Sequence, residues 1–202
     1  MHFVTWFFWK PYFYCTGCNT GIPLGNTQAT LHPFVAYVQS NDYLKVISIC
    51  IISDCLTYDM VAVASFQRLV IPYLTSQYTD IKRIIYFSDG ISAQYKNKKN
   101  LNLCHYKDDF NLNAECHFLP PSTTKNGLCY AIRGTIKMSA YKTSLQLPYK
   151  DQIISPLDLF HYCTGNFKNI KFFFAFEEYV AKTSIAFLIS VARMRISLKL
   201  YL

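Results

Sequence analysis

A chain of 202 residues that is 51% hydrophobic and 17% aromatic, with only seven glycines, has ample material for a core. This excludes a disordered or low-complexity polymer and fits one large domain, with or without an appendage. Lysine and arginine outnumber aspartate and glutamate by 20 to 12, a net charge of +8, which favours polyanions or anionic surfaces as partners.

Residues 1–20 crowd aromatic side chains together without a clear period, and 1–25 read as an atypical N-terminal segment. Cys15-Thr16-Gly17-Cys18 is half of a zinc site; His32 offers a third ligand and no fourth is at hand, so zinc is not expected. The eight cysteines sit in a long, core-rich chain whose N-terminus lacks the basic start of a signal peptide, so they are read as reduced thiols of an intracellular protein, nuclear or cytoplasmic. Cys50, Cys104 and Cys116 lie in apolar runs and are expected to pack as small core residues. No stretch of about 18 apolar residues is free of charge, so no membrane partner is expected.

Gly21–Thr30 carries turn chemistry. Leu31–Gln39 reads as a strand that Pro33 pushes towards a sheet edge or a strand start. Tyr43–Ile52 is a more apolar, central strand ending at Ser53-Asp54-Cys55. A helix capped by Thr57 or Asp59 follows, with Met60, Val63, Phe66, Val70 and Leu74 as its apolar stripe; Pro72 is expected to kink or end it. Ile84–Phe87 is a buried strand that stops at Ser88-Asp89-Gly90, where the glycine permits a tight turn. A lysine-rich helix from about Ser92 to Tyr106, a short strand over Glu115–Leu119 and a loop through Pro120-Pro121 come next. Helices are expected from Cys129 to Thr143 and from Ser155-Pro156 onward, then a strand over Ile170–Phe176. Strands alternate with helices, so the class is α/β.

The order of these pieces resembles a group of uncharacterised, transposon-derived animal proteins related to DDE transposases. The matching residues are Asn26–Phe34, Ile52-Ser-Asp-Cys-Leu56, Tyr86-Phe-Ser-Asp-Gly90 with Gln94-Tyr-Lys-Asn97, Leu103-Cys-His105, Gly134-Thr-Ile-Lys137, Asp151-Gln-Ile153 and Asn169–Phe173. The resemblance spans residues 26–176 and implies a ribonuclease H-like mixed sheet flanked by helices, with 177–202 a basic C-terminal extension. In such proteins three carboxylates, on the first strand, the fourth strand and a later helix, hold two Mg²⁺ ions that clamp the attacking and leaving oxygens at phosphorus.

By resemblance Asp89 is the fourth-strand carboxylate, both catalytic residue and metal ligand. Its two companions are missing. No Asp or Glu precedes Asp42, so the sheet is expected to be incomplete at its first strand, and Tyr130 stands in Cys129-Tyr130-Ala131 where the helix carboxylate belongs. The expectation is a degenerate, inactive transposase-like domain without a cofactor, binding nucleic acid through Lys96, Lys98, Lys99 and Lys137. The alternative is an active Mg²⁺-dependent nuclease or strand-transfer enzyme centred on Asp89, with Asp54 or Asp59 as substitute ligands; a third reading is a gene remnant that folds poorly. The bland account of Asp89 is a turn or helix-cap residue. His105 and His117 are further acid–base candidates, more simply read as packed or surface histidines.

Overall fold

The computed structural model describes residues 2–8, 12–15, 28–39, 43–57, 60–79, 81–88, 109–118 and 127–183. In chain order these form β1 (His2–Phe8), β2 (Tyr12–Cys15), β3 (Gln28–Gln39), β4 (Leu44–Ser53), α1 (Met60–Gln77), β5 (Ile81–Ser88), β6 (Asn113–Phe118), α2 (Leu128–Gln146), a 3₁₀ turn (Tyr149–Asp151), α3 (Pro156–Asn166) and β7 (Ile170–Ala175). Residues 177–183 are again helical, here α4. The fold is mixed α/β.

All seven strands join one sheet in the order β6-β5-β1-β3-β4-β7, with β2 beside β3. β3 is antiparallel to β1, β2 and β4, whereas β1–β5, β5–β6 and β4–β7 are parallel pairs. Residues His2–Phe8, part of the segment read as atypical, therefore lie at the middle of the sheet between β5 and β3. HFVTWFF is the near-continuous apolar run of a strand with neighbours on both sides, and its composition carries no alternation that marks it as one.

Pro33 likewise lies in a central strand, not at an edge. β4 covers one side of β3 continuously, pairing Pro33 with Cys50. On the other side β2 pairs with Gln28–Leu31 and β1 with Phe34–Val38. Pro33, which has no N–H to offer a ladder, thus falls in the gap between those two pairings.

Alternation along the strands divides the core into two layers. On one face Phe34, Ala36, Ile49, Ile51, Ile84 and Tyr86 pack with Val63, Phe66, Val70 and Leu74 of α1. On the other, Leu31, Val35, Cys50, Ile52 and Phe172 pack with Cys129, Ile132, Ile136 and Ala140 of α2 and with Leu159 and Cys163 of α3. The stripe predicted for α1 from Val63 onward is the buried one. Pro72 does not end α1, which continues to Gln77: Pro72 itself faces solvent while Ile71 and Leu74 are buried on either side of it. The Thr75 hydroxyl, on the C-terminal side of the proline, donates to the carbonyls of Ile71 and Pro72. α3 begins as its sequence requires, with Pro156 in the first turn and a reciprocal capping box between Ser155 and Asp158.

Candidate functional site

β1, β4, β5, β6 and β7 all run the same way, so their C-terminal ends share one rim of the sheet, where α/β proteins place ligands. The register sets the height of each strand there. Ser88, the last residue of β5, is level with Phe8 of β1 and Phe118 of β6. Through Phe8 it is level with Phe34 and, one strand further, Ile49. Asp89 follows Ser88 directly in the chain but lies outside the described residues, as do Lys96, Lys98, Lys99, Asp59, His105 and the helix expected over 92–106. β1, the neighbour of β5, has seven residues that include neither Asp nor Glu.

None of the other acidic residues described on these strands makes up the deficit. Glu115 on β6 pairs with Ile85, three residues short of the Ser88 level, and is engaged by the Arg83 guanidinium. Asp54 follows Ile49 by five residues and lies beyond β4, three strand intervals from β5. With about 4.8 Å between strands and about 3.3 Å per residue, that places it roughly 20 Å from the end of β5. Two carboxylates sharing a metal pair must come within a few ångströms of ions ~4 Å apart. Asp54 has a different task. Its Oδ1 accepts the Glu177 backbone N–H at 2.6 Å, satisfying the open end of α4. Its neighbours complete a buried polar cluster: the Ser53 hydroxyl donates to Ala175 O at 2.6 Å and accepts from Cys55 N–H at 3.0 Å, while Thr30 Oγ1 donates to Cys55 O at 2.7 Å. That cluster joins β3, β4 and β7. It is structural.

Tyr130, at the position expected of the helix carboxylate, lies in the first turn of α2 and is exposed. The adjacent Cys129 is buried in the same cluster as Val35, and Val35 pairs with Phe7, which pairs with Phe87. The start of α2 is therefore level with the end of β5. The phenol lies under the Arg133 guanidinium, 4.8 Å from the ring centroid, and supplies no carboxylate to a divalent ion. Among the described residues, neither β1 nor the start of α2 brings a carboxylate to the end of β5 for a two-Mg²⁺ centre. Lys137, one turn beyond Arg133, is half-buried, and its ammonium is pushed below the ordinary lysine value by desolvation first and by Arg133 second.

His32 is fully buried on the α1 face, edge-on to Phe34 with centroids 4.4 Å apart and 5.4 Å from the Phe66 ring. Burial pushes its imidazole down to about 3, so it stays neutral and packs. It cannot complete a zinc site with Cys15 either, because Cys15 pairs with Gln28, four residues before His32, or about 13 Å along the strand. Among the described residues no three His, Cys, Asp or Glu side chains come together as a metal-holding group. No described helix is long and apolar enough to cross a membrane. The outer face of α2 carries exposed apolar residues at a three–four spacing, on the side opposite the helix's buried stripe.

Residues 21–194 match the profile of a domain of unknown function, DUF8701. The chain belongs to this family. The DUF8701 match begins between β2 and β3 and takes in every later strand. No curated protein and no solved structure matches the chain.

Proposed function

We propose that this DUF8701 chain is a ribonuclease H-like, transposon-derived domain that has lost two-metal catalysis and acts by binding nucleic acid. The observation that carries the reading is the strand plan around Ser88. An antiparallel meander of β1, β3 and β4 is followed by α1, which returns the chain to the opposite side of β1, where β5 and β6 add in parallel. That is the plan expected of a ribonuclease H-like core, and it puts the end of β5, with Asp89 next in the chain, beside β1. An aspartate there without a carboxylate on β1 or at Tyr130 is the pattern of a catalytic site from which metal binding has been lost. The net charge of +8 and the sequence cluster of Lys96, Lys98 and Lys99 support a polyanionic partner.

The test is one set of assays on the purified full chain with labelled single- and double-stranded DNA. With Mg²⁺ or Mn²⁺ no cleavage is expected. Binding through about four phosphate contacts should weaken about a hundredfold between roughly 50 and 200 mM salt, and the Lys96→Glu, Lys98→Glu, Lys99→Glu triple variant should lose most of it. Cleavage that disappears in Asp89→Ala would establish the active enzyme instead. Binding that is absent, or indifferent to salt, removes nucleic acid as the partner.

A further inference from the structure

α2 carries two apolar faces, and among the described residues one of them is packed. Cys129, Ile132, Ile136 and Ala140 are buried against the sheet and α3. On the opposite side Ala131, Gly134, Met138, Tyr141 and Leu145 are all exposed, the last three at 57%, 44% and 49%. Their spacing is three, four, three, four. This is the a/d repeat of a helix that packs along another helix, knobs into holes. It runs the length of the 19-residue α2, about 28 Å. A solvated helix face has no need of a sustained repeat of this kind, and an apolar strip of this length left open on a monomer marks an interaction surface. Gly134 sits in the seam with nothing within 4 Å of where a Cβ would be, so another backbone can approach closely there.

The flanks of the seam choose the partner. With Ala131, Met138 and Leu145 at a and Gly134 and Tyr141 at d, the flanking e and g positions are Tyr130, Thr135, Lys137, Lys142 and Ser144. The charged ones are both lysines, and α2 contains no acidic residue at all. Flanking charges decide pairing between helices. A second copy of this chain would set lysine against lysine in either direction of pairing. The chain's own C-terminal stretch suits no better, since after Glu178 it has Lys182, Arg193, Arg195 and Lys199 and no acid. We infer that the outer face of α2 docks an amphipathic helix of another protein, one with acidic residues bordering its apolar stripe.

The probe is a synthetic helix of about three heptads with leucine at a and d and glutamate at e and g, titrated against the full chain by fluorescence anisotropy. Its control carries lysine at e and g. The glutamate helix should bind at least tenfold more tightly than the lysine helix. Met138→Glu, at an exposed position, should weaken that binding tenfold or more while thermal unfolding stays unchanged. Lys142→Glu should narrow or invert the preference between the two peptides, which is a readout independent of how Met138→Glu folds. Equal binding of both peptides, or none, overturns the proposal. So does self-association of the chain that Met138→Glu abolishes, which makes a second copy the occupant. Uptake onto phosphatidylserine vesicles that Met138→Glu abolishes also overturns it, by making a lipid surface the occupant.

Discussion

Phe8 stands directly beside Ser88 on adjacent parallel strands, so the strand next to the one that leads into Asp89 ends in an aromatic residue, and the function proposed above has no carboxylate there to hold a metal. A site able to hold Mg²⁺ would stabilise the folded chain by about 1.4 kcal/mol at a metal concentration tenfold above its dissociation constant, or about 3–5 °C in a domain of this size. The expected outcome is a change below about 1 °C on adding millimolar Mg²⁺ or Mn²⁺, identical in Asp89→Asn. Differential scanning fluorimetry reads it directly. A larger shift that Asp89→Asn removes would show that Asp89 finds ligands elsewhere.

Asp54, the substitute ligand suggested by its place after a strand, is explained by the 2.6 Å hydrogen bond from Glu177 N–H. Removing a side-chain acceptor from a helix N-terminus destabilises by about 1 kcal/mol. Asp54→Ala should therefore lower stability by about that much in urea unfolding, and Asp54→Asn, which keeps an acceptor oxygen, by less. Neither substitution should alter nucleic-acid binding. A loss of binding with unchanged stability would move Asp54 from the fold to the site.

The strands of the sheet from β3 onward and the two helices that cover α2's side of it were legible because their signals are local. The β-branched run of Val46–Ile52 bounded by Ser53-Asp54, the repeat in Val63–Leu74 and the Ser155-Pro156 helix start each act within a turn or two of chain. β1 was not legible, because a run such as His2–Phe8 has no period to distinguish a central strand from any other apolar stretch, and its place is set by partners near residues 34–38 and 81–88. The same limit hid the role of Pro33: whether a proline is tolerated in a sheet depends on what lies across from it. For the site, the absence of Asp and Glu from residues 1–41 and the tyrosine at 130 are plain in the sequence, while the separation of Asp54 from the end of β5 needed the register. The a/d repeat on α2 was present in the sequence, but only burial of the opposite stripe shows which of the two faces is left over.

His32 is held against Phe34 and Phe66 with its imidazole pushed down from 6.5 to about 3 by burial. The unfolded chain takes up a proton as pH falls through about 6.5, and the folded chain does not until about pH 3. The stability contributed by the neutral, buried ring is therefore complete above about pH 7 and declines as pH falls, by about 1.4 kcal/mol per unit below 6.5. Between pH 6.5 and 5, before most carboxylates titrate, the loss should be about 2 kcal/mol. His32→Phe should remove this slope, whatever it does to the stability at neutral pH. Urea unfolding at half-unit pH steps measures it, and a wild-type profile already flat over that interval would show that His32 is protonated or solvated in the native state.

Cys50, Cys129 and Cys163 meet in the layer between the sheet and α2 and α3, all three buried and none in a disulfide. Burial pushes the Cys129 and Cys163 thiols up to about 12. The Cys50 thiol is raised well above its ordinary value, by burial first and then by Cys163 and Cys129. Because the thiolate is the reactive form, a thiol titrating near 12 is about one part in ten thousand ionised at pH 8, besides being shielded from reagent. Iodoacetamide applied to the native protein at that pH should leave these three unmodified over hours. In guanidinium chloride all three should be modified within minutes, as peptide mass spectrometry would show. Their native rate should also track the unfolding equilibrium, so that Phe66→Ala, which opens the opposite core layer at a cost of about 3–5 kcal/mol, speeds modification by two orders of magnitude or more. Rapid native labelling of Cys163 alone would instead mean that α3 detaches from β7 and β4 without global unfolding, and would identify that corner as the least stable part of the sheet.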